Sequence, residues 1–112
     1  MKKTEIIKKN YEFKKILNKG SFYRGKYIEI FLTQNNKNKN YIGIAIGVKI
    51  AKATKRNHIK RLIKENYRLI EDKVKPGNNI IFLWNKKQNI ENANFFNIQK
   101  DMELIFKKIG IL

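Results

Sequence analysis

Two stretches of the chain alternate large apolar residues with polar or small ones, a pattern typical of β-strands that bury one face. YIGIAIGV, at positions 41–48, places its large apolar residues on one side: Ile42, Ile44, Ile46 and Val48. Its other side carries only Tyr, Gly and Ala, so we expect open space above the sheet there. KYIEIFL, at 26–32, alternates in the same way. A short strand over 21–24 and a buried strand NNIIFLWN over 78–85 complete the predicted set.

Three other stretches carry apolar residues every three or four positions, the spacing of an amphipathic helix. The first, KKNYEFKKILNKG at 8–20, has Asn10 as a candidate N-cap and Gly20 as a candidate stop. The second extends over Ala53–Glu71, and the third extends over Asn94–Ile109. The stripe of the second helix that is expected to face the core consists of Ile59, Leu62, Ile63, Asn66, Tyr67 and Ile70.

The predicted elements follow the order α-β-β-β-α-β-α. This order predicts an α+β sandwich in which helices pack on a mostly antiparallel, four-stranded sheet. With 112 residues, 42% of them hydrophobic, the chain can bury one core. We therefore expect a single domain over residues 1–112.

The charge of the chain is strongly positive. Lys and Arg number 26 against nine Asp and Glu, which leaves a formal net charge of +17. A small body with this charge repels itself unless a polyanion neutralises it. Codon bias would exchange Arg for Lys but would not remove acids, so the balance favours a nucleic-acid partner.

Several kinds of chemistry are excluded or disfavoured by residue type. The chain has no cysteine, which excludes disulfides, a thiol nucleophile and Cys-ligated metals. The only histidine, His58, lacks neighbours at ligand spacing, so we expect a solvated helix position for it. There is no paired-carboxylate site, Gly-rich phosphate loop or Ser and His constellation, and Asp101 and Glu103 are expected to balance nearby lysines. We expect neither catalytic residues nor metal ligands in this chain.

No apolar run reaches the length of a membrane span, and the N-terminus lacks the apolar core of a signal peptide. We therefore expect no membrane contact and a cytoplasmic location.

Positive charge is concentrated on the second predicted helix. From Lys49 to Lys64 there are seven Lys or Arg and no acid. At about 100° per residue, Arg56, Lys60 and Lys64 lie along one side, away from the apolar stripe. The helix therefore has a core face and a face suited to phosphate. A membrane-surface or calmodulin-target segment can have the same pattern, but it would not be expected between two strands.

The stretch KATKRNHIKRLIKENYR, at 52–68, resembles the signature of the protein subunit of bacterial ribonuclease P. The positions that match the family pattern are Ala53, Arg56, Asn57, Ile59, Lys60, Arg61, Leu62, Ile63 and Glu65. The segments EFKKILNKG and PGNNIIFL also occur in the order and spacing of the family. His58 stands where the family usually has Arg, and Leu17 stands where an aromatic residue is frequent.

This resemblance implies a protein that joins a large catalytic RNA, with which it removes the 5′ leader of precursor tRNA by magnesium-dependent hydrolysis. Catalysis would belong to the RNA, and Mg²⁺ would be held mainly by the RNA subunit and the substrate. The implied partners are ribonuclease P RNA and precursor tRNA, and not DNA. The resemblance also implies a fold like that of some ribosomal proteins, with a left-handed βαβ crossover through the basic helix.

Two groups of residues follow from the charge pattern and the resemblance together. The expected RNA-binding residues are Lys49, Lys52, Lys55, Arg56, Asn57, Lys60, Arg61, Lys64 and Arg68. The expected leader-cleft residues, between the first helix and the sheet, are Phe13, Leu17 and Phe31.

Other classes remain open at this point. A ribosomal or other structural RNA-binding protein would share the charge and the fold but would have no effect on precursor tRNA cleavage. A helix-turn-helix protein would need a second helix where a strand is predicted. A stand-alone nuclease would need an acid cluster to hold magnesium.

Overall fold

A computed structural model describes residues 3–112 of the chain. The described residues form five β-strands and three α-helices. In chain order these are β1 (Thr4–Ile6), α1 (Asn10–Lys19), β2 (Ser21–Arg24), β3 (Ile28–Gln34), β4 (Asn40–Ala45), α2 (Ala53–Ile70), β5 (Asn78–Trp84) and α3 (Phe95–Ile109). Short 3-10 turns follow α2, at Glu71–Lys73, and precede α3, at Ile90–Asn92.

The strands form one sheet in the order β1-β4-β5-β3-β2. β4 is parallel to both β1 and β5, whereas β3 is antiparallel to both β5 and β2. The α+β class is confirmed, but the expected four-stranded, mostly antiparallel sheet is wrong. The sheet is mixed because the chain returns through α2 to place β5 parallel beside β4. The handedness of this β4-α2-β5 connection stays a prediction.

The missed strand, β1, is held to the sheet and to α2. Its three residues are too few to show an alternation in the sequence. The hydroxyl groups of Thr4 and Tyr67 lie 2.8 Å apart and share a hydrogen bond. Burial raises the pKa of Tyr67 above its ordinary value, because the phenolate loses hydration there. β1 therefore forms the edge of the sheet beside β4.

The main core lies between one face of the sheet and the pair α2 and α3. Strand side chains such as Ile42, Ile80 and Phe82 meet Ile63 of α2 and Phe106 of α3 there, and all five are fully buried. This side buries large apolar side chains of β4, as the alternation of that strand predicts, together with Ile80 and Phe82 of β5.

Asp101 of α3 fixes the connection between β2 and β3. Its carboxylate is buried and accepts hydrogen bonds from the backbone N–H groups of Lys26, Tyr27 and Ile28, at 3.1, 2.7 and 2.8 Å. The expectation that Asp101 balances nearby lysines is therefore wrong. Three backbone donors satisfy the carboxylate, and it in turn positions the strand that carries Phe31.

α1 packs on the opposite face of the sheet. Its Ile16 is buried, as is Ile81 of β5, which points to the same side. Gly43 of β4 lies under the ring of Phe13, because a Cβ added at Gly43 would come within 2.5 Å of Phe13 Cε2. The expected open space above the small-residue side of β4 is thus filled at Gly43 by α1, and glycine is required for this close approach.

The end of β4 and the starts of α1 and α3 differ from the predicted ones. β4 stops at Ala45, and Val48 is exposed in a turn closed by the hydrogen bond from Ile50 N–H to Gly47 O. Asn10 is the first residue of α1 and not its cap. The last helix begins at Phe95, one residue after the predicted start, and Asn94 is its N-cap, since the Asn94 side chain accepts a hydrogen bond from the N–H of Asn97.

Candidate nucleic-acid interface

α2 divides into an apolar and a basic side, as its sequence predicts. Ile59, Ile63, Asn66 and Tyr67 are buried, and Leu62 and Ile70 are partly buried against the same core. The Asn66 amide donates hydrogen bonds to Leu62 O and to Phe95 O, at 3.0 and 3.2 Å, which ties α2 to the start of α3. The anchored stripe orients the remaining side chains of α2 away from the core.

The nine expected RNA-binding residues lie on this helix and on the segment that precedes it. Six of them are exposed: Lys49, Lys52, Asn57, Arg61, Lys64 and Arg68. Lys55, Arg56 and Lys60 are partly buried. The two ion pairs found within residues 3–112 join Arg24 to Glu29 and Lys39 to Glu5, so neither involves α2. The basic side of the helix is therefore available to an external anion.

Arg56 has a structural contact that the sequence pattern does not show. Its Nη1 donates a hydrogen bond of 2.7 Å to the backbone carbonyl of Ala51. This bond holds the turn that leads into α2 while the guanidinium retains further N–H donors. Arg56 thus supports the entry to the helix, whereas Arg61 is exposed and has no ion pair among the described residues.

The first turn of α2 adds to the positive potential. The residue before the helix, Lys52, makes no side-chain cap, and the first turn contains no acid. The first N–H groups of a helix lack intrahelical partners and carry the positive end of its dipole. Basic residues at this end destabilise a free helix, and a bound phosphate would offset that cost.

A cavity of about 410 Å³ connects the basic helix with the edge of the sheet. It is lined by Lys60, Arg61 and Lys64 of α2 and by Ile6, Gly43 and Ile44 at the β1–β4 edge. Because Gly43 also lies under Phe13, this cavity approaches the face of the sheet that carries α1. The phosphate-suited side of α2 and the predicted leader cleft are therefore neighbours around one edge of the sheet.

The structure places the three expected leader-cleft residues on the α1 side of the sheet. Phe13 and Leu17 are partly exposed on α1, and Phe31 is partly exposed on β3. Phe31 pairs with Ile81, which pairs with Gly43, so the three residues form one row across the sheet. Phe13 covers the Gly43 end of this row. α2 packs on the opposite face, so the two predicted RNA-contacting surfaces lie on opposite faces of the sheet and approach each other only at its β1–β4 edge.

Phe31 belongs to a tilted aromatic pair that sequence reasoning missed. Its ring centre lies 4.9 Å from that of Phe22 on β2, which is directly opposite in the antiparallel pair. The Arg24 guanidinium lies 5.4 Å from the Phe22 ring centre, and its Nε donates to Glu29 at 2.6 Å. Phe22 is 44% exposed, so this pair of rings presents an open aromatic surface beside the Arg24 guanidinium. The weak strand pattern over 21–24 does not predict which residues of β2 and β3 lie opposite each other. This register brings the two rings together.

The described residues offer no fitting site for a metal ion. Within residues 3–112 no group of three or more His, Cys, Asp or Glu side chains is placed to hold one. His58 is exposed on α2. No chemical step is therefore assigned to a metal-holding cluster in this part of the chain. None of the described helices is both long and apolar enough to cross a membrane.

Comparison with known proteins gives a consistent result. The family model described as Ribonuclease P matches residues 1–110. The Ribonuclease P protein component of Clostridioides difficile (strain 630) is 34% identical over 110 residues, which cover 97% of this chain and 95% of the relative. That of Fusobacterium nucleatum subsp. nucleatum is 38% identical over 108 residues, covering 95% of this chain and 97% of the relative.

Solved structures agree with the sequence relatives. The RNase P protein of Staphylococcus aureus superimposes with a TM-score of 0.80 at 27% identity, covering 95% of each chain. The fold of the RNase P protein from Thermotoga maritima matches with a TM-score of 0.83, covering 93% of this chain and 96% of that one. The family model spans nearly the whole sequence, and the chain therefore belongs to the Ribonuclease P protein family.

Proposed function

We propose that this chain acts in ribonuclease P by binding two RNAs through two separate surfaces. The basic side of α2 would bind the RNA subunit, and the cleft beside α1 would bind the single-stranded leader of precursor tRNA. The observation that carries the proposal is the acid-free stretch from Lys49 to Lys64, which packs its apolar stripe and leaves its cations without internal ion pairs among the described residues.

The RNA-subunit surface comprises the nine residues expected from the sequence. They supply ammonium and guanidinium groups, one amide, and the uncapped N-terminus of α2. Guanidinium groups grip phosphate oxygens at two points, and lysines act as point charges. This chemistry recognises the shape and backbone of a folded RNA more than its sequence.

The proposed leader surface comprises Phe13, Leu17 and Phe31, and we add Phe22 because it lies opposite Phe31. Unpaired bases stack on aromatic side chains, and this contact depends little on which base is present. The exposed Phe22 ring and the partly exposed Phe31 ring would supply such a surface, and Leu17 would supply an apolar contact from α1. A mature tRNA lacks the leader and would not use this surface.

The proposal assigns the hydrolysis of the phosphodiester bond to the RNA subunit, as membership of the Ribonuclease P protein family implies. Mg²⁺, bound mainly by the RNA subunit and the substrate, would supply charge neutralisation and an activated water there. The protein would raise affinity for the precursor and reduce repulsion between two polyanions. Its partners would place the complex in the cytoplasm.

Binding of the two tRNA forms tests this assignment. The protein is assembled with a bacterial ribonuclease P RNA, and affinities for a precursor tRNA and the matching mature tRNA are measured with and without protein. We expect the protein to strengthen binding of the precursor selectively. Equal effects on both forms would contradict a leader-binding role, and no stable assembly would contradict the role of α2.

A further inference from the structure

A second groove runs along the other flank of α1. Ile16 points from α1 into the sheet, and the helical spacing of about 100° places Phe13 and Leu17 to one side of it. Lys15 and Lys19 lie to the other side. There a groove of about 490 Å³ separates α1 from the adjacent ends of β3 and β4 and from the loop that joins them. We call it the lysine groove, and none of the three expected leader-cleft residues lines it.

Three lysines among its eleven lining residues give the lysine groove a net positive charge. Lys15 and Lys19 line it from α1, and Lys37 lines it from the β3–β4 loop. The ammonium group of Lys37 lies 5.2 Å from the centre of the Tyr41 ring, which also lines the groove. Glu12 is the one acid among the lining residues. The two ion pairs of the described residues use none of these lysines, so the groove is suited to an anion.

The floor of the groove is a connected set of polar side chains. The Asn35 amide donates to Asn79 Oδ1 at 3.0 Å, and the Asn79 amide donates to Thr33 Oγ1 at 3.0 Å. The backbone N–H of Lys37 donates to Asn35 Oδ1 at 2.8 Å, which orders the loop beside the floor. Amide and hydroxyl groups held in this way can hydrogen-bond base edges or ribose hydroxyls, as in proteins that recognise single-stranded RNA.

We propose that the lysine groove binds the upstream part of the leader, beyond the nucleotides held in the leader cleft. Its volume falls within the range of about 300–1,000 Å³ usual for sites that hold a small ligand, so a nucleotide fits. Cationic walls, an ordered polar floor and a neighbouring aromatic ring match the phosphate, sugar and base of one nucleotide.

The position of the groove favours the leader over the RNA subunit as the source of that nucleotide. The groove and the leader cleft share one face of the sheet and are separated only by α1, which is about 10 Å wide with its side chains. α2 packs against the opposite face. A strand that leaves the cleft across α1 would enter the groove. This inference rests on the proposed function of the leader cleft.

The test compares two precursor tRNAs, one with a leader that ends in the cleft and one with a leader several nucleotides longer. The variant carries Lys15→Gln, Lys19→Gln and Lys37→Gln. A control carries Lys87→Gln, Lys100→Gln and Lys107→Gln, three exposed lysines outside the groove lining, and so removes the same charge. Affinities of the assembled particles are measured over a range of salt concentrations, and melting temperatures are measured on the proteins alone.

We expect the groove variant to bind the long-leader precursor about tenfold more weakly than the control does, from the loss of two or three phosphate contacts. Its salt slope should be flatter by about 2 units for that substrate only. The short-leader precursor should bind equally to both variants, and both should melt alike.

Equal binding of the long-leader precursor by the two variants would overturn the inference and leave the proposed function intact, provided that precursor still binds more tightly than mature tRNA. Weaker binding of both precursors and of the free RNA subunit by the groove variant would assign the groove to the RNA subunit, and would also overturn it. If no particle assembled with the unaltered protein, the proposed function and this inference would fail together.

Discussion

Arg61 and Arg56 lie on the same basic helix, but the structure predicts different consequences when each is replaced. Arg61 is exposed, so Arg61→Gln should change unfolding free energy by no more than about 0.5 kcal/mol. If its guanidinium contacts one phosphate of the RNA subunit, its loss should flatten the salt dependence of binding by about 0.7–0.9 units. The corresponding affinity loss is about threefold near physiological salt.

Arg56→Gln should affect both binding and stability. The variant loses a phosphate contact and also the 2.7 Å hydrogen bond to Ala51 O that holds the turn before α2. A hydrogen bond to a partly exposed group contributes about 0.5–1.5 kcal/mol, so the melting temperature should fall measurably. The Gln side chain is shorter than that of Arg and carries no positive charge, so it replaces neither the contact with Ala51 O nor the cation.

The assay is titration of the RNA subunit with protein at several salt concentrations, beside thermal unfolding of each free protein. Lys107→Gln is the matched control, because Lys107 is an exposed cation on α3, away from the proposed interface. The reasoning would be refuted if Arg61→Gln and Lys107→Gln gave the same affinity and the same salt slope. Equal stability of the two arginine variants would refute the structural role of Arg56.

Four further predictions concern the rest of the molecule. Phe31→Ala should weaken binding of precursor tRNA by the assembled particle by about 1–3 kcal/mol and leave mature tRNA unaffected; equal losses in a folded variant would remove Phe31 from the leader surface. Gly43→Ala should lower unfolding free energy by about 1–3 kcal/mol, and a second change, Phe13→Leu, should restore part of it, as a double-mutant cycle of thermal melts can check. Asp101→Ala should lower the free energy of unfolding by about 3 kcal/mol or more, because three backbone donors lose their acceptor. A nearly unchanged melting temperature would contradict this. Stability should fall as pH rises above about 10, since the pKa of Tyr67 is raised only in the folded state, and Tyr67→Phe should reduce that slope in denaturant titrations.

The long, strongly periodic elements of this fold could be predicted from the sequence. α2 was predicted over Ala53–Glu71 and is found over Ala53–Ile70, because eighteen residues repeat the apolar spacing several times. The helical spacing of about 100° per residue also predicts the basic side of α2. Element type is read reliably from such segments because many residues carry the same signal.

The missed features depend on contacts between distant parts of the chain. β1 is too short to show a pattern, and its place in the sheet comes from pairing with β4 and from the bond between Thr4 and Tyr67. Asp101 accepts from backbone groups more than seventy positions away, so its neighbours in sequence give no sign of that role. The same limit applies to the leader surface. Phe22 and Phe31 form an aromatic pair because the register of β2 and β3 places these residues opposite each other.

The most direct test of the central claim is cleavage of a precursor tRNA by a bacterial ribonuclease P RNA at low magnesium concentration, with and without this protein. The RNA alone should cleave poorly under these conditions, and addition of the unaltered protein should restore removal of the leader at the normal site. A variant that carries both Arg61→Gln and Phe31→Ala should restore less leader removal than the unaltered protein does. Cleavage that is unchanged by the protein, in a mixture where the protein binds the RNA, would contradict its assignment as the functional subunit.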